Sequence, residues 1–254
     1  MKEYRIMSGA GNDFLVTDIR GEAPDLKALA IRLCEQAGVD GLLAVDTSEV
    51  ADFRLHFYNP DGLRGEMCGN GARCVCKFAY DTGIAGEAMT VQTDAGIVRG
   101  WRLEENRYRV QLNDPGVLDL ARLENAAYVE LGAPGVPHCV THVPGLSFED
   151  RQRLLPLALS LRYDPAFPKG VNVNFYDRLA EDRVRIMTYE RGVEDYTLAC
   201  GTGSASVAVV LQALGQLKGN VLTAENAGGA LTVNLENGTV YLEGDAQLVK
   251  TVTE

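Results

Sequence analysis

Cys68-Gly69-Asn70-Gly71-Ala72-Arg73-Cys74-Val75-Cys76-Lys77-Phe78-Ala79-Tyr80 and Cys200-Gly201-Thr202-Gly203-Ser204-Ala205-Ser206-Val207-Ala208-Val209-Val210-Leu211 begin alike and lie in different halves of the chain. Each opens with Cys-Gly-x-Gly and runs straight into a helix-like stretch. A thiol at a helix start is a candidate thiolate, because unpaired backbone N–H groups and the helix dipole favour negative charge there. Two such thiols suit a reaction that needs an acid/base group on each of two sides, as symmetric proton exchange does. The helices are unusual too. Gly203 to Leu217 carries no charge and no polar face, and Ala72 to Tyr80 carries only Arg73 and Lys77. Helices apolar nearly all round must be enclosed.

Around these phrases the chain repeats itself. Tyr4, Gly11 and Val16-Thr17 match Tyr128, Gly135 and Val140-Thr141 at a shift of 124 residues. Leu26 to Gln36 and Asp150 to Leu161 predict helices at the same shift, and Phe53 to Tyr58 and Arg183 to Tyr189 predict strands. The cysteine phrases stand 132 residues apart, as do Gly83 and Gly215, each placed to cap a helix C-terminus. Further β-rich segments are Met89–Thr93, Tyr108–Leu112 and Val171–Phe175, and Glu236-Asn237-Gly238 signals a hairpin. The expected fold is α+β. It comprises two pseudo-symmetric domains, residues 1–118 and 119–254, with a C-terminal strand near 244–254 able to join the first. Each would be a curved mixed sheet or barrel wrapped around a central helix, with the active site in the cleft between them.

Composition narrows the function. The 254 residues include 46% hydrophobic ones, ample for a core, and the net charge is -11 with a pI near 4.8. That acidity argues against nucleic acid, which clustered Lys and Arg recognise. The N-terminus Met1-Lys2-Glu3-Tyr4-Arg5-Ile6 lacks the apolar region of a secretion signal, so the expected location is cytoplasmic and the six cysteines are expected as thiols. The uncharged run Leu198 to Leu217 contains Thr202, Ser204, Ser206, Gln212, Gln216 and three glycines, and reads as a buried soluble helix and not a membrane span. Neither cysteine phrase continues as a nucleotide-binding loop. Cys74 and Cys76 lie near Cys68, yet with no second clustered pair and three histidines a metal site is not expected.

The chain resembles the diaminopimelate epimerases, which need no pyridoxal phosphate. The resemblance rests on Gly11-Asn12-Asp13-Phe14, Tyr58-Asn59-Pro60-Asp61-Gly62 and Met67-Cys68-Gly69-Asn70-Gly71-Ala72-Arg73-Cys74. It continues through Pro137-His138-Cys139-Val140, Asn172-Val173-Asn174-Phe175, Tyr189-Glu190-Arg191-Gly192 and Ala199-Cys200-Gly201-Thr202-Gly203. It implies cofactor-independent epimerisation of LL-2,6-diaminopimelate to the meso form, with Cys68 and Cys200 as the acid/base pair. The α-carboxylate would take N–H bonds from Gly69, Asn70, Gly201 and Thr202, fixed donors for developing charge. Asn12, Asn59, Asn172, Glu190 and Arg191 would hold the rest of the substrate, Arg191 through its planar fork. His138 and Glu190 are similar to residues that tune the thiols. No cofactor, no nucleic acid and no membrane partner is implied; members of the family often pair as homodimers, and the sequence shows no diagnostic interface for one.

Two positions depart from the family. Many members have Gln where Gly41 stands and Asn where Val136 stands, and both side chains help hold the diamino diacid. These keep open a racemase of another amino acid, such as histidine or a proline derivative. Two further readings are a cysteine hydrolase pairing one thiol with His138, and a non-catalytic amino-acid-binding module. Both leave the second Cys-Gly-x-Gly unexplained. Cys34, Cys74, Cys76 and Cys139 read as inert packing thiols, His56 and His142 as satisfied strand residues, and Trp101 as offering no stacking platform.

Overall fold

A computed structural model describes residues 2–65, 68–132 and 135–253; Met67 of the motif lies outside them. The chain divides into two compact units, Met1–Gln111 with Glu243–Glu254, and Leu112–Leu242.

The first unit contains β1 (Glu3–Gly9), β2 (Asn12–Asp18), α1 (Leu26–Ala37), β3 (Gly41–Asp46), β4 (Phe53–Tyr58), β5 (Arg64–Gly65), α2 (Gly69–Asp81), β6 (Ala88–Thr93), β7 (Gly96–Glu104) and β8 (Arg107–Gln111). The second contains β9 (Pro115–Leu123), β10 (Ala126–Gly132), β11 (Gly135–His142), α3 (Arg151–Arg162), β12 (Asn172–Ala180), β13 (Arg183–Glu190), β14 (Asp195–Thr197), α4 (Gly201–Ala213), β15 (Val221–Asn226), β16 (Gly229–Glu236) and the start of β17 (Thr239–Asp245). Last comes β18 (Gln247–Thr253).

The two pairing schemes coincide. In the first unit β1–β2 is antiparallel, β2–β3 parallel, β3–β4 and β4–β5 antiparallel, β4–β6 parallel and β6–β7 antiparallel. In the second, β10–β11, β11–β12, β12–β13, β13–β14, β13–β15 and β15–β16 repeat those directions in order. β18 pairs antiparallel with β1, and β9, which straddles position 118, pairs antiparallel with β10. Each unit therefore borrows a strand from outside the linear repeat to extend its first strand. The predicted hairpin forms between β16 and β17, with Asn237 and Gly238 both at positive φ (52° and 84°), the backbone of a two-residue type I′ turn.

Each unit encloses one helix. α2 is buried from Gly69 to Ala79 and packs on β1, β2, β3, β7 and β8. α4 is buried at Gly201 and from Gly203 to Leu211, and packs on β9, β10, β11, β12, β15 and β16. At 13 residues α4 is shorter than the uncharged run, because Gly215 stops it. Among the described residues no helix is long and apolar enough to cross a membrane. The helix ends also repeat. Gly83 (φ 71°) donates to the Tyr80 carbonyl while Ile84 donates to that of Ala79, and Gly215 (φ 66°) and Gln216 do the same to Gln212 and Leu211. These are the paired bonds of a Schellman cap, whose left-handed residue favours glycine. Gly83→Ala and Gly215→Ala are each expected to cost about 1 kcal/mol in a denaturant titration; no loss at either would contradict the cap assignment.

Candidate active site

In the first unit Cys68 is the N-cap of α2, with extended backbone (φ −128°, ψ 121°) and its carbonyl accepting from the Ala72 N–H at 2.7 Å. Its thiol is half-buried. Asn70, in the first turn, donates through its side-chain amide to Asn12 Oδ1 at 2.6 Å, and its Oδ1 accepts from the Arg73 guanidinium at 3.0 Å. Asn12 in turn donates to the Asp40 carboxylate at 3.2 Å, which also accepts the Asp13 N–H at 2.9 Å. Asn12, Asn70, Arg73 and Asp40 thus form one network at the helix start. Arg73 is fully enclosed and also donates to the carbonyls of Gly69 (3.3 Å) and Asp245 (3.2 Å). Burial works against its charge, while the nearby Cys74 and Cys68 sulfurs and the Asp245 carboxylate work for it. Arg73 and Asp40 are absent from the residues expected from sequence; the signal for Arg73 was a lone cation near the start of an apolar helix.

Asn59 stands apart from this network. Its backbone closes a turn, donating to the Leu63 carbonyl (2.8 Å) and accepting from the Gly62 N–H (2.9 Å). Gly41, on β3 opposite Phe14, has a packing reason: a Cβ there would stand 2.8 Å from the Phe57 ring and 2.9 Å from the Tyr58 carbonyl. Phe57 fills the space a longer side chain would need.

In the second unit Cys200 is the N-cap of α4 (φ −119°, ψ 110°), and its carbonyl accepts from the Ser204 N–H at 2.9 Å. Its Sγ accepts the Gly203 N–H at 3.4 Å and lies 3.5 Å from Thr202 Oγ1. A backbone N–H aimed at sulfur favours the thiolate over the thiol. Nearby, β11 and β12 run parallel with His138 opposite Asn172, and β12–β13 place Asn174 opposite Thr188. Asn172 Oδ1 accepts the Arg191 N–H at 2.8 Å, which fixes the start of the turn after β13, and the Arg191 guanidinium donates to the Lys169 carbonyl at 2.7 Å. Glu190, half-buried, ends β13 beside it. Val136, opposite Leu131 on β11, offers no donor. His138 is fully buried, and burial first, then the Arg191 charge, pushes it down to about 3, so it is neutral at physiological pH.

The remaining cysteines are a contrast. Burial raises Cys34 to about 11 and Cys76 and Cys139 to about 12, and Cys74 higher still. Of the six thiols Cys68 alone is half-buried and the others are buried. Alkylation of the native protein at pH 8, mapped by mass spectrometry, is therefore expected to modify Cys68 first and to spare these four until denaturation; early labelling of Cys74 or Cys139 would refute it. His56 bonds Asp46 and His142 bonds Asp177, each at 3.2 Å. Among the described residues no group of His, Cys, Asp and Glu is arranged to hold a metal ion.

Residues 4–115 and 133–249 match the family model described as diaminopimelate epimerase. A diaminopimelate epimerase of Archaeoglobus fulgidus is 37% identical over 268 residues, covering 96% of this chain and 92% of the relative. One of Aquifex aeolicus is 34% identical over 282 residues, covering 99% of each. A solved PhzF-family phenazine biosynthesis protein of Bacillus anthracis superposes over 99% of this chain and 98% of its own, with TM-score 0.75 and 16% identity, a likeness of fold alone.

Proposed function

This chain belongs to the diaminopimelate epimerase family, a family of isomerases, and from that membership we propose that it interconverts LL- and meso-2,6-diaminopimelate without a cofactor. The observation that carries the reading is the pair of N-cap thiols, Cys68 on α2 and Cys200 on α4, each at the head of an enclosed helix. One sulfur, as thiolate, removes the Cα proton; the C–H electron pair is left on the substrate and spreads onto its carboxylate. First-turn N–H groups of Gly69, Asn70, Gly201 and Thr202 meet that charge, which is what makes so weak an acid as Cα–H accessible. The second sulfur, as thiol, delivers its proton to the opposite face, and the pair exchanges roles in reverse. Cys68 serves the L face and Cys200 the D face. Asn12, Asn59, Asn172, Glu190 and Arg191 hold the substrate's remaining polar groups, and His138 and Glu190 tune the thiols.

Val136 supports a second reading, a racemase of a different amino acid, since an isopropyl group gives a distal carboxylate nothing to bond. The test is a substrate panel in deuterated water, followed by NMR without added cofactor. Diaminopimelate is expected to take up deuterium at Cα fastest, ahead of histidine, proline and glutamate. Exchange into another substrate with none into diaminopimelate would replace the first reading by the second.

A further inference from the structure

The two units differ most where they should be most alike. Gly71 of α2 faces Leu43 on β3 and Phe14 on β2; a Cβ there would sit 3.4 and 3.6 Å from their side chains. By strand register, the equivalents in the second unit are Gly203, Asn174 and His138, with Thr188 in the place of Phe57. Packing alone is satisfied by the apolar set, as the first unit demonstrates. Burying three polar side chains instead is costly unless each finds its partners.

The bonds here determine a proton's position. Asn174 Nδ2 lies 2.9 Å from the Cys139 carbonyl and 3.2 Å from that of Asn172, oxygens that only accept. That edge of the amide is therefore its NH2 group. Consistently, Asn174 Oδ1 accepts from the Thr188 hydroxyl at 3.0 Å. The same Nδ2 lies 3.1 Å from His138 Nδ1. An NH2 group faces a lone pair and not another N–H, so the imidazole proton belongs on Nε2. Nε2 is enclosed and has no partner among the described residues.

We propose that Asn174 and Thr188 are positioning residues that lock His138 as its Nε2–H tautomer, reserving that N–H as a fixed hydrogen-bond donor to an acceptor of the bound substrate. This rests on the epimerase reading for the identity of the substrate and deepens it: His138 serves the site by donating a hydrogen bond and does not take a proton from Cys200. Its low basicity in this buried setting agrees, as does the adjacent Arg191.

The test is 15N NMR of histidine-labelled, substrate-free protein, with His138 assigned by loss of its signals in His138→Gln. The expected spectrum shows a protonated Nε2 and an unprotonated Nδ1, unchanged from pH 8 to pH 5. Asn174→Leu, the residue the first unit has here, is expected to release the tautomer and lower turnover at least ten-fold. Thr188→Ser should preserve both, and Thr188→Val should shift the tautomer populations without unfolding the chain. A protonated Nδ1 in the wild-type protein, or titration of His138 within that range, overturns the proposal. Because the spectrum is read without substrate, it stands or falls separately from the choice of diaminopimelate.

Discussion

Cys200→Ala and Cys68→Ala are each expected to cut epimerisation by about 10²–10⁴-fold or more, the contribution of a positioned acid or base. On the proposed two-base mechanism, the Cys68 thiolate of Cys200→Ala still removes a proton from the L centre, but no group remains to deliver one to the far face. The carbanion is then reprotonated where it was formed. In deuterated water the outcome is slow deuterium entry with retention at the isomer Cys68 serves, and no inversion; Cys68→Ala should give the mirror result. Folding is not the cause of the loss. Removing the Cys200 sulfur forfeits its cap bond from the Gly203 N–H, at 3.4 Å, and a lost N-cap costs about 0.5–2 kcal/mol. For chains of this size that lowers Tm by a few degrees. Proton NMR with chiral separation distinguishes exchange from inversion, and native-rate inversion in either variant eliminates the two-base mechanism.

Gly203→Ala should be severe and Gly71→Ala nearly silent, although the two positions are equivalent. A Cβ on Gly203 would stand 2.3 Å from Asn174 Oδ1, 3.1 Å from Thr188 Oγ1 and 3.2 Å from Cys200 Cβ. Asn174 cannot simply swing away, because its amide holds Thr188, His138 and two backbone carbonyls. Relief means overpacking or breaking buried hydrogen bonds, a cost of about 2–4 kcal/mol. Turnover should fall with it, since the helix start that carries Cys200 must shift. At Gly71 the nearest atoms, on Leu43, are 3.4 Å away, which is ordinary contact. There the loss of glycine's backbone freedom offsets any crowding by about 0.5–1 kcal/mol. Denaturant titrations of the two variants give the comparison directly. Equal losses would mean that the polar cluster under α4 is no more rigid than the apolar one under α2.

The repeat is legible in sequence because its marks are local. Gly83 and Gly215 cap helices through their own backbone freedom, Asn237-Gly238 turns through its own φ values, and an uncharged helix such as α4 advertises its burial. β9 is not legible, since its side chains are mostly exposed and its strand state comes from pairing with β10. The site divides the same way. Cys68 and Cys200 can be picked out because a cysteine before Gly-x-Gly at a helix start carries its chemistry with it. Asp40 and Arg73 could not be placed, because the bonds of Asp40 to Asn12 and of Arg73 to the Asp245 carbonyl join segments distant in the chain.

What the residues alone determined is a duplicated α+β chain with one N-cap thiol in each half, since helix capping and apolar periodicity act over a few neighbours. What only the tertiary structure decided is that the halves are unequal beneath those thiols. Phe14, Leu43 and Phe57 pack where His138, Asn174 and Thr188 bond, and the location of the His138 proton follows from the Cys139 carbonyl, which the parallel pairing of β11 and β12 brings to the Asn174 amide, together with the Asn172 carbonyl of its own strand. Such a proton position depends on several groups meeting at about 3 Å, a condition no stretch of sequence contains.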